Sequence, residues 1–228
     1  QRQMCIRDRY EGEATVEGLR AVRIEALEQA QSVWAQGAVP VLVDPEGACI
    51  ARAKPEVVVD AILAKRNLGT RITDAPVVVG VGPGFTAGED CHAVVETMRG
   101  HTLGRVIYRG SALPNTNIPG LIGGFAGERV LRAPCDGIFT ALHRIGDTVE
   151  EGETIGFVEG QPMKCTISGV LRGVLDDGVP VKKGMKSGDV DPRCKPEYCT
   201  TISDKALAVG GGVVEAVLYL NAKQQGRR

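Results

Sequence analysis

Uninterrupted apolar runs mark short predicted strands in the first half of the chain. The runs lie at 39–45 (VPVLVDP), within 54–67 (KPEVVVDAILAKRN) and at 75–84 (APVVVGVGPG). None alternates apolar with polar residues, which is the pattern of strands in a parallel sheet covered on both faces. Ahead of these runs, a stripe formed by Ile24, Leu27, Ala30 and Trp34 predicts a helix over 24–37.

The segments around these runs predict further short elements. Residues 10–24 are polar and β-branched, which predicts one or two strands. β-Branched residues crowd both arms of 91–108 and favour a hairpin turning at 99–101, with a single amphipathic helix over 91–98 as the alternative. The Gly, Pro and Asn density of 110–127 predicts a loop or linker.

The segment 201–220 has the composition of a helix that Ser203 or Thr201 can cap. Three consecutive glycines, Gly210–Gly212, interrupt it at a cost of about 1 kcal/mol each relative to alanine. Two interpretations follow: either the glycines let the helix approach another backbone closely, or they form a turn between two shorter helices.

An internal repeat organises the second half of the chain. Residues 136–159 align without gaps on residues 168–191, at an offset of 32. The matched positions are small or β-branched: Gly137 with Gly169, Gly146 with Gly178, Val149 with Val181, Gly152 with Gly184, Gly156 with Gly188, and Val158 with Val190. Two strand–turn–strand copies of this kind predict a barrel-sandwich domain like those that carry biotin or lipoate.

The patterns together predict an α/β protein with three parts: a parallel-sheet domain over 10–127, a small all-β barrel-sandwich domain over 128–193, and a C-terminal helical segment over 194–228. Residues 1–9 (QRQMCIRDR) lack periodicity and turn chemistry. We interpret them as a non-native, adapter-derived stretch, which implies that the native N-terminus is missing.

Composition excludes some classes of function and changes little else. The formal net charge of -1 and the aromatic content of 4% argue against partners such as nucleic acid or an anionic membrane. No run approaches the roughly 18 apolar residues of a membrane span, and no signal peptide is recognisable. Seven scattered cysteines are expected to be free thiols of a cytoplasmic protein.

The link between the two repeat copies raises the question of a carrier lysine. Met163-Lys164 is similar to the Met-Lys pair of carrier domains, but we expect Lys164 to fall within the first strand of the second copy. The turn is better placed at 160–162. We therefore expect an unmodified lysine and a carrier-like fold without the carrier function.

Candidate chemistry gathers around Gly82-Pro83-Gly84, which follows the third apolar run. In open α/β sheets the carboxyl ends of strands are where ligands bind, although an ordinary turn is the alternative interpretation. The polar residues next along the chain are Asp90, Cys91, His92, Glu96, Arg99 and His101. They are compatible with a metal site, a pocket for a polar ligand or a surface hairpin, and no complete metal-ligand set is predicted.

Two other features remain open at this stage. Asp60 interrupts an apolar run and needs partners such as Lys54, Lys65 or Asn67, in either a ligand site or a structural ion pair. Cys194 and Cys199 are a redox or metal pair, or a coincidence of spacing.

Several long stretches together carry a family resemblance. They are VLVDPEG, AKPEVVVDAILAKRN, GVGPGFTAGEDCHAVVETMRGHTLGRVIY, SALPNTNIPG, GDVDPR and TISDKALAVGGGVVEAV. From about Tyr10 to Leu220 the chain resembles the YqeB family, the accessory proteins of selenium-dependent molybdenum hydroxylase systems. Family members begin with a glycine-containing Rossmann-type strand–turn–helix that this sequence lacks, so the resemblance implies a truncated Rossmann-like first domain.

The resemblance implies a maturation role: handling cofactor or selenium/sulfur insertion and docking a molybdenum hydroxylase client. The implied ligand is the molybdenum-pterin cofactor or a selenium species. The expected cofactor-binding residues are Gly82, Gly84, Phe85, Asp90, His92, Glu96, Asp60 and Asn67. A truncated dinucleotide-dependent oxidoreductase and a non-catalytic scaffold are the alternatives, and self-association into a homo-oligomer stays open.

Overall fold

The computed structural model describes residues 12–116 and 120–226. Its contacts divide the chain into two units. The first unit is formed by the chain up to Thr116 together with the chain from Ile202, and the second by the chain between them. The predicted adapter-derived stretch lies outside the described residues.

The first unit contains nine strands and three α-helices among its described residues. The strands are β1 (Glu13–Val16), β2 (Leu19–Ile24), β3 (Val39–Leu42), β4 (Val57–Asp60), β5 (Val77–Val81), β6 (Thr86–Ala87), β7 (Ala93–Val95), β8 (Val106–Ile107) and β9 (Gly110–Ser111). The helices are α1 (Ala30–Ala35), α2 (Cys49–Ala53) and α3 (Asp204–Gln224).

The apolar runs form two sheets rather than the single sheet that we expected. Strands β4, β5 and β7 are parallel, and β8 joins β7 antiparallel in the order β4-β5-β7-β8. The run at 39–45 supplies β3, which instead pairs with β2 in a separate three-stranded sheet. Its Val39 is 42% exposed, because that sheet is covered less completely.

Both faces of the four-stranded sheet are covered, as the lack of alternation in the run at 75–84 predicts. Val77 and Val79 pack with Ala216 and Leu220 of α3 on one face. On the other face, Val78 packs in a second cluster, whose further buried members are Phe85, Ala87, Cys91, Val94 and Ala112. All five residues of β5 are therefore buried.

The connections between the parallel strands differ from those of a Rossmann fold. In the described residues, the crossovers over 61–76 and 82–92 contain no helix. The helical layer comes from α3, near the end of the chain. The Rossmann-like description therefore stays a prediction.

The segment over 91–108 forms the predicted hairpin and not the alternative helix. Val94 pairs with Ile107, and Val95 with Val106. The connecting loop runs over 96–105 and is longer than the predicted turn at 99–101.

The C-terminal segment is one continuous helix, as the close-approach interpretation requires. The Ser203 hydroxyl caps it by accepting the Ala206 N–H at 3.2 Å. A Cβ on Gly212 would collide with the Gly104 carbonyl oxygen and would lie 2.9 Å from Val95 Cγ1. Glycine at this position is thus required by the approach of α3 to the sheet.

The segment that contains α3 qualifies our expectation that no apolar run is long enough to span a membrane. The stretch Pro196–Gln224 is long and apolar enough, by length and composition, to cross a membrane. Core helices meet the same criteria, and α3 packs on a sheet through Ala216, which is 0% exposed.

Within residues 120–201, the described part of the second unit, the chain forms eight strands in two sheets. They are β10 (Val130–Arg132), β11 (Gly137–Ala141), β12 (Thr148–Val149), β13 (Thr154–Val158), β14 (Gln161–Lys164), β15 (Gly169–Val174), β16 (Pro180–Val181) and β17 (Lys186–Asp191). The sheet orders are β10-β17-β15-β12 and β14-β13-β11-β16.

The internal repeat is visible as matching strands. Strands β11, β12 and β13 correspond to β15, β16 and β17, and the copies exchange strands because β11 pairs with β16 while β12 pairs with β15. The repeated valines Val149, Val158, Val181 and Val190 all lie in the core of this unit. The name barrel-sandwich for this arrangement stays a prediction.

Lys164 does not lie where we expected it. It is the last residue of β14, an additional strand that pairs with β13, whereas the first strand of the second copy begins only at Gly169. The turn before β14 is at Glu159-Gly160. The connection is long enough to form its own strand, which the sequence argument overlooked.

Candidate functional site

The candidate site lies at the carboxyl edge of the parallel strands. Asp60 ends β4, Gly82 directly follows β5, and Glu96 directly follows β7. Carboxyl ends of parallel strands meet at one edge of a sheet, and ligands of open α/β sheets bind there. We call the loops that leave this edge, 61–70, 82–85 and 96–105, the edge loops.

The glycine loop packs directly against its neighbours. Gly84 has a φ of +108°, and a Cβ there would lie 2.5 Å from Arg66 Cα. A Cβ on Gly82 would lie 2.9 Å from Thr97 Oγ1 and 3.7 Å from Leu63 Cδ2. The Gly82 N–H donates to the Val95 carbonyl at 2.8 Å, so it is not available to a ligand. These contacts bring the three edge loops together.

Phe85 does not face the edge. A Cβ on Gly80 would lie 2.6 Å from Phe85 Cγ, so the Phe85 side chain packs directly against Gly80 of β5. The side chain is 4% exposed and belongs to the core cluster on one face of the sheet.

Asp60 holds the first edge loop in shape. Its carboxylate accepts the Thr70 hydroxyl at 2.6 Å and the Ile62 N–H at 3.0 Å. We had expected Lys54, Lys65 or Asn67 to partner this carboxylate, and the observed partners are different. Local backbone and hydroxyl donors satisfy a carboxylate that is 8% exposed.

Asn67 and Asp90 join the first edge loop to the β5–β7 crossover. The Asn67 side-chain amide donates to the Asp90 carboxylate at 3.1 Å and to the Thr70 carbonyl at 2.8 Å. Asp90 also accepts the Thr86 N–H at 2.8 Å. Both residues thus act as clamps between chain segments.

Glu96 is a buried clamp rather than an open ligand. Its carboxylate accepts the Thr97 and Met98 N–H groups at 2.7 Å and the Leu113 N–H at 2.8 Å. The residue is 2% exposed. It therefore fixes the start of the third edge loop and ties the chain near Leu113 to it.

His92 lies at the opposite end of β7 from Glu96. Four residues of extended chain separate them by about 13 Å. The His92 Nδ1 accepts the Val78 N–H at 3.0 Å, and burial lowers the pKa of the imidazole. The adjacent Cys91 is fully buried, and desolvation raises the pKa of its thiol to about 11. The structure does not bring His92 into the edge.

Comparison with known proteins decides the family. No family model matches the chain. The chain is 49% identical over 211 residues to the Escherichia coli (strain K12) protein called Uncharacterized protein YqeB. This match covers 92% of the chain. The chain belongs to the YqeB family.

The match covers only part of the longer relative. The YqeB-family chain spans 39% of the length of that E. coli protein.

Two solved structures show a weaker likeness. A succinylglutamate desuccinylase/aspartoacylase from Rhodobacter sphaeroides is 23% identical, with a TM-score of 0.24 over 28% of this chain and 22% of that chain. An aspartoacylase family protein from Mesorhizobium loti is 13% identical, with a TM-score of 0.26 over 36% of this chain and 27% of that chain. At these TM-scores the likeness carries no argument.

The edge of this YqeB-family chain also brings together charged residues from distant segments, of which only Asp204 and Lys205 were not selected from the sequence. Arg99 pairs with Asp204 through two hydrogen bonds of 2.7 and 2.9 Å, which ties the third edge loop to the start of α3. Lys65 and Lys205 lie nearby, and their charges interact. No periodicity or motif marks these residues, because they come from segments far apart in the chain.

The carboxylates of Asp60, Asp90 and Glu96 already accept backbone or side-chain donors. Among the described residues, no group of three or more His, Cys, Asp and Glu side chains could hold a metal ion. What the edge offers is a set of pre-shaped loops with basic side chains.

Proposed function

We propose that this chain is a maturation factor for a selenium-dependent molybdenum hydroxylase. In this proposal the edge loops hold the molybdenum-pterin cofactor or a selenium species, and the second unit docks the client enzyme. The observation that carries the proposal is the convergence of the three edge loops, where Leu63 and Thr97 both lie against Gly82. The motif resemblance described above supports the choice of client.

The state of the polar groups favours holding a ligand over catalysing a reaction on it. Glu96 is saturated by three backbone donors. The Cys91 thiol is buried, and burial raises its pKa to about 11, so it is protonated at neutral pH. Neither group is poised as a base or nucleophile, as an oxidoreductase or transferase would need.

The second unit presents apolar side chains that suit contact with a protein. Ile138 of β11 is 47% exposed, and Leu142, which directly follows β11, is 56% exposed. Positions 138 and 142 share one face of an extended strand. We expect this outer face of β11 to contact the client.

The test is client activation in cells that lack the protein. We expect the loss of the protein to lower both client activity and the molybdenum and selenium content of the client, and a plasmid copy to restore them. Gly84→Ala should restore less than about a tenth of the activity, because its Cβ would lie 2.5 Å from Arg66 Cα and would displace the first edge loop.

Gly88→Ala is the matched control. Gly88 also has a positive φ, +96°, but nothing lies within 4 Å of a Cβ there. It should therefore carry the same backbone strain without displacing the edge loops. Full restoration by Gly84→Ala, or a fully loaded client without this protein, would contradict the proposal. Tight dinucleotide binding with hydride transfer would favour the oxidoreductase alternative.

A further inference from the structure

Two lysines from distant segments lie beside the carboxyl edge. Lys65 belongs to the first edge loop, and Lys205 lies in the first turn of α3, where its side chain is half-buried. The loop that contains Lys65 contacts the glycine loop through Leu63 and Arg66. The start of α3 is tied to the third edge loop by the Arg99–Asp204 pair. Both lysines therefore flank the region where the edge loops converge.

The two carboxylates whose charges act on Lys205 are engaged elsewhere. Glu96 accepts three backbone N–H groups, and Asp204 forms its two hydrogen bonds of 2.7 and 2.9 Å with Arg99. Among the ion pairs of the described residues, none includes Lys65 or Lys205. A half-buried ammonium without a carboxylate partner is costly, so an external anion would stabilise it.

The electrostatic environment of Lys205 agrees with this geometry. Desolvation lowers the pKa of its ammonium, and the positive charges of Lys65 and Arg99 lower it further. Glu96 and Asp204 act in the opposite direction with smaller effects. An anion bound beside Lys205 would oppose this lowering of the pKa.

The backbone near Lys65 is also unusual. Leu63 and Lys65 have φ values of 60° and 67°, in the left-handed region that residues other than glycine rarely adopt. Strain of this kind concentrates at ligand clamps.

We propose that Lys65 and Lys205 bind the phosphate group of the ligand that occupies the carboxyl edge. A dianionic phosphate between two ammonium groups removes their repulsion and gives each a charge-assisted hydrogen bond. The inference rests on the proposed function only for the identity of the ligand, because the molybdenum-pterin cofactor carries a phosphate monoester.

The test measures anion binding by the full chain in the absence of any client. Pyrophosphate, inorganic phosphate and glycerol 3-phosphate are titrated calorimetrically at constant ionic strength, with sodium chloride as the balancing salt. We expect saturable binding of pyrophosphate and glycerol 3-phosphate. Lys65→Met and Lys205→Met should each weaken it at least about tenfold, which is the loss of one charge-assisted contact.

Lys223→Met is the matched control, because Lys223 is an exposed lysine in the last turn of the same helix. It should leave the dissociation constants unchanged. No saturable binding, or equal weakening by Lys223→Met and Lys205→Met, would overturn the proposal. Tighter binding of inorganic phosphate than of glycerol 3-phosphate would overturn the assignment to an organic ligand.

A second measurement does not depend on the variants folding. The wild-type protein is labelled with an amine-reactive reagent, with and without pyrophosphate, and Lys205 modification is quantified by mass spectrometry. Bound pyrophosphate should raise the pKa of Lys205 and slow its labelling several-fold, while Lys223 is unaffected. Equal rates with and without pyrophosphate would contradict the site.

The two proposals fail in different ways. If the protein binds pyrophosphate through Lys65 and Lys205 but never activates a client, the anion site stands and the proposed function is refuted. If the Lys65→Met/Lys205→Met variant no longer binds pyrophosphate but still activates the client fully, the proposed function stands. The assignment of the anion site to the cofactor is then refuted.

Discussion

The three glycines of α3 predict opposite effects from neighbouring alanine substitutions. Gly212 faces the sheet, where a Cβ would collide with the Gly104 carbonyl oxygen and lie 2.9 Å from Val95 Cγ1. Gly211 has no heavy atom within 4 Å of a Cβ. The two substitutions remove the same backbone freedom from the same helix and differ only in what the new methyl group meets.

The magnitudes follow from two competing terms. Alanine in a helix interior is favoured over glycine by about 1 kcal/mol, so Gly211→Ala should raise the free energy of unfolding by up to about 1 kcal/mol. In Gly212→Ala the same gain is opposed by overpacking, which costs about 1–3 kcal/mol or more. Because the atom in the way is a backbone carbonyl, no side-chain rotation relieves the clash. We therefore expect a net loss of about 2 kcal/mol.

The assay is urea unfolding followed by circular dichroism at 222 nm, a signal that α3 dominates among the described helices. The predicted result is a higher midpoint for Gly211→Ala and a lower midpoint for Gly212→Ala than for the wild-type protein. If Gly212→Ala is as stable as Gly211→Ala, the close approach of α3 to the Gly104 loop is refuted.

Three further predictions concern buried polar groups. Glu96→Gln should lower the free energy of unfolding by about 1–3 kcal/mol in urea titrations, because its NH₂ would face a backbone N–H; a loss below about 0.5 kcal/mol would contradict the clamp. The Arg193 side chain lowers the pKa of Asp191 from 3.8, so the stability that Asp191 contributes is present above that value and is lost as pH falls through the lowered pKa. Asp191→Asn should therefore be less stable than wild type at pH 7, and this difference should shrink below pH 4 in pH-dependent unfolding; a constant difference would refute it. Iodoacetamide at pH 8 should label the exposed Cys194 well before Cys91, because burial shields the Cys91 thiol and raises its pKa to about 11. Peptide mass spectrometry measures the two labelling rates, and equal rates would contradict the burial of Cys91.

Much of the local structure could be predicted from the chain because its causes are local. The unalternating run at 75–84 becomes β5, with both faces covered. The gap-free alignment of 136–159 on 168–191 becomes matching strands in the second unit. The assignment of β3 to the same sheet as β5 was wrong, because strand pairing depends on long-range contacts that an apolar run does not encode.

The sequence predicted where the candidate site lies but not the roles of its residues. The glycine loop does lie at the carboxyl edge of β5. The roles of Glu96 and Asp90 as clamps depend on backbone N–H groups, which carry no sequence signature. Lys205 lies 140 residues beyond Lys65 in the chain, so no spacing rule could join them.

The most direct test of the account is native mass spectrometry, with molybdenum and selenium analysis, of the full-length protein isolated from cells that make a client hydroxylase. The account predicts an unmodified polypeptide with a dissociable molybdenum-pterin or selenium adduct, and Lys65→Met/Lys205→Met would reduce the molybdenum-pterin form. A polypeptide with no adduct would support a pure scaffold, and a covalent biotin- or lipoate-sized addition at Lys164 would make the protein a carrier. Either result would contradict the account.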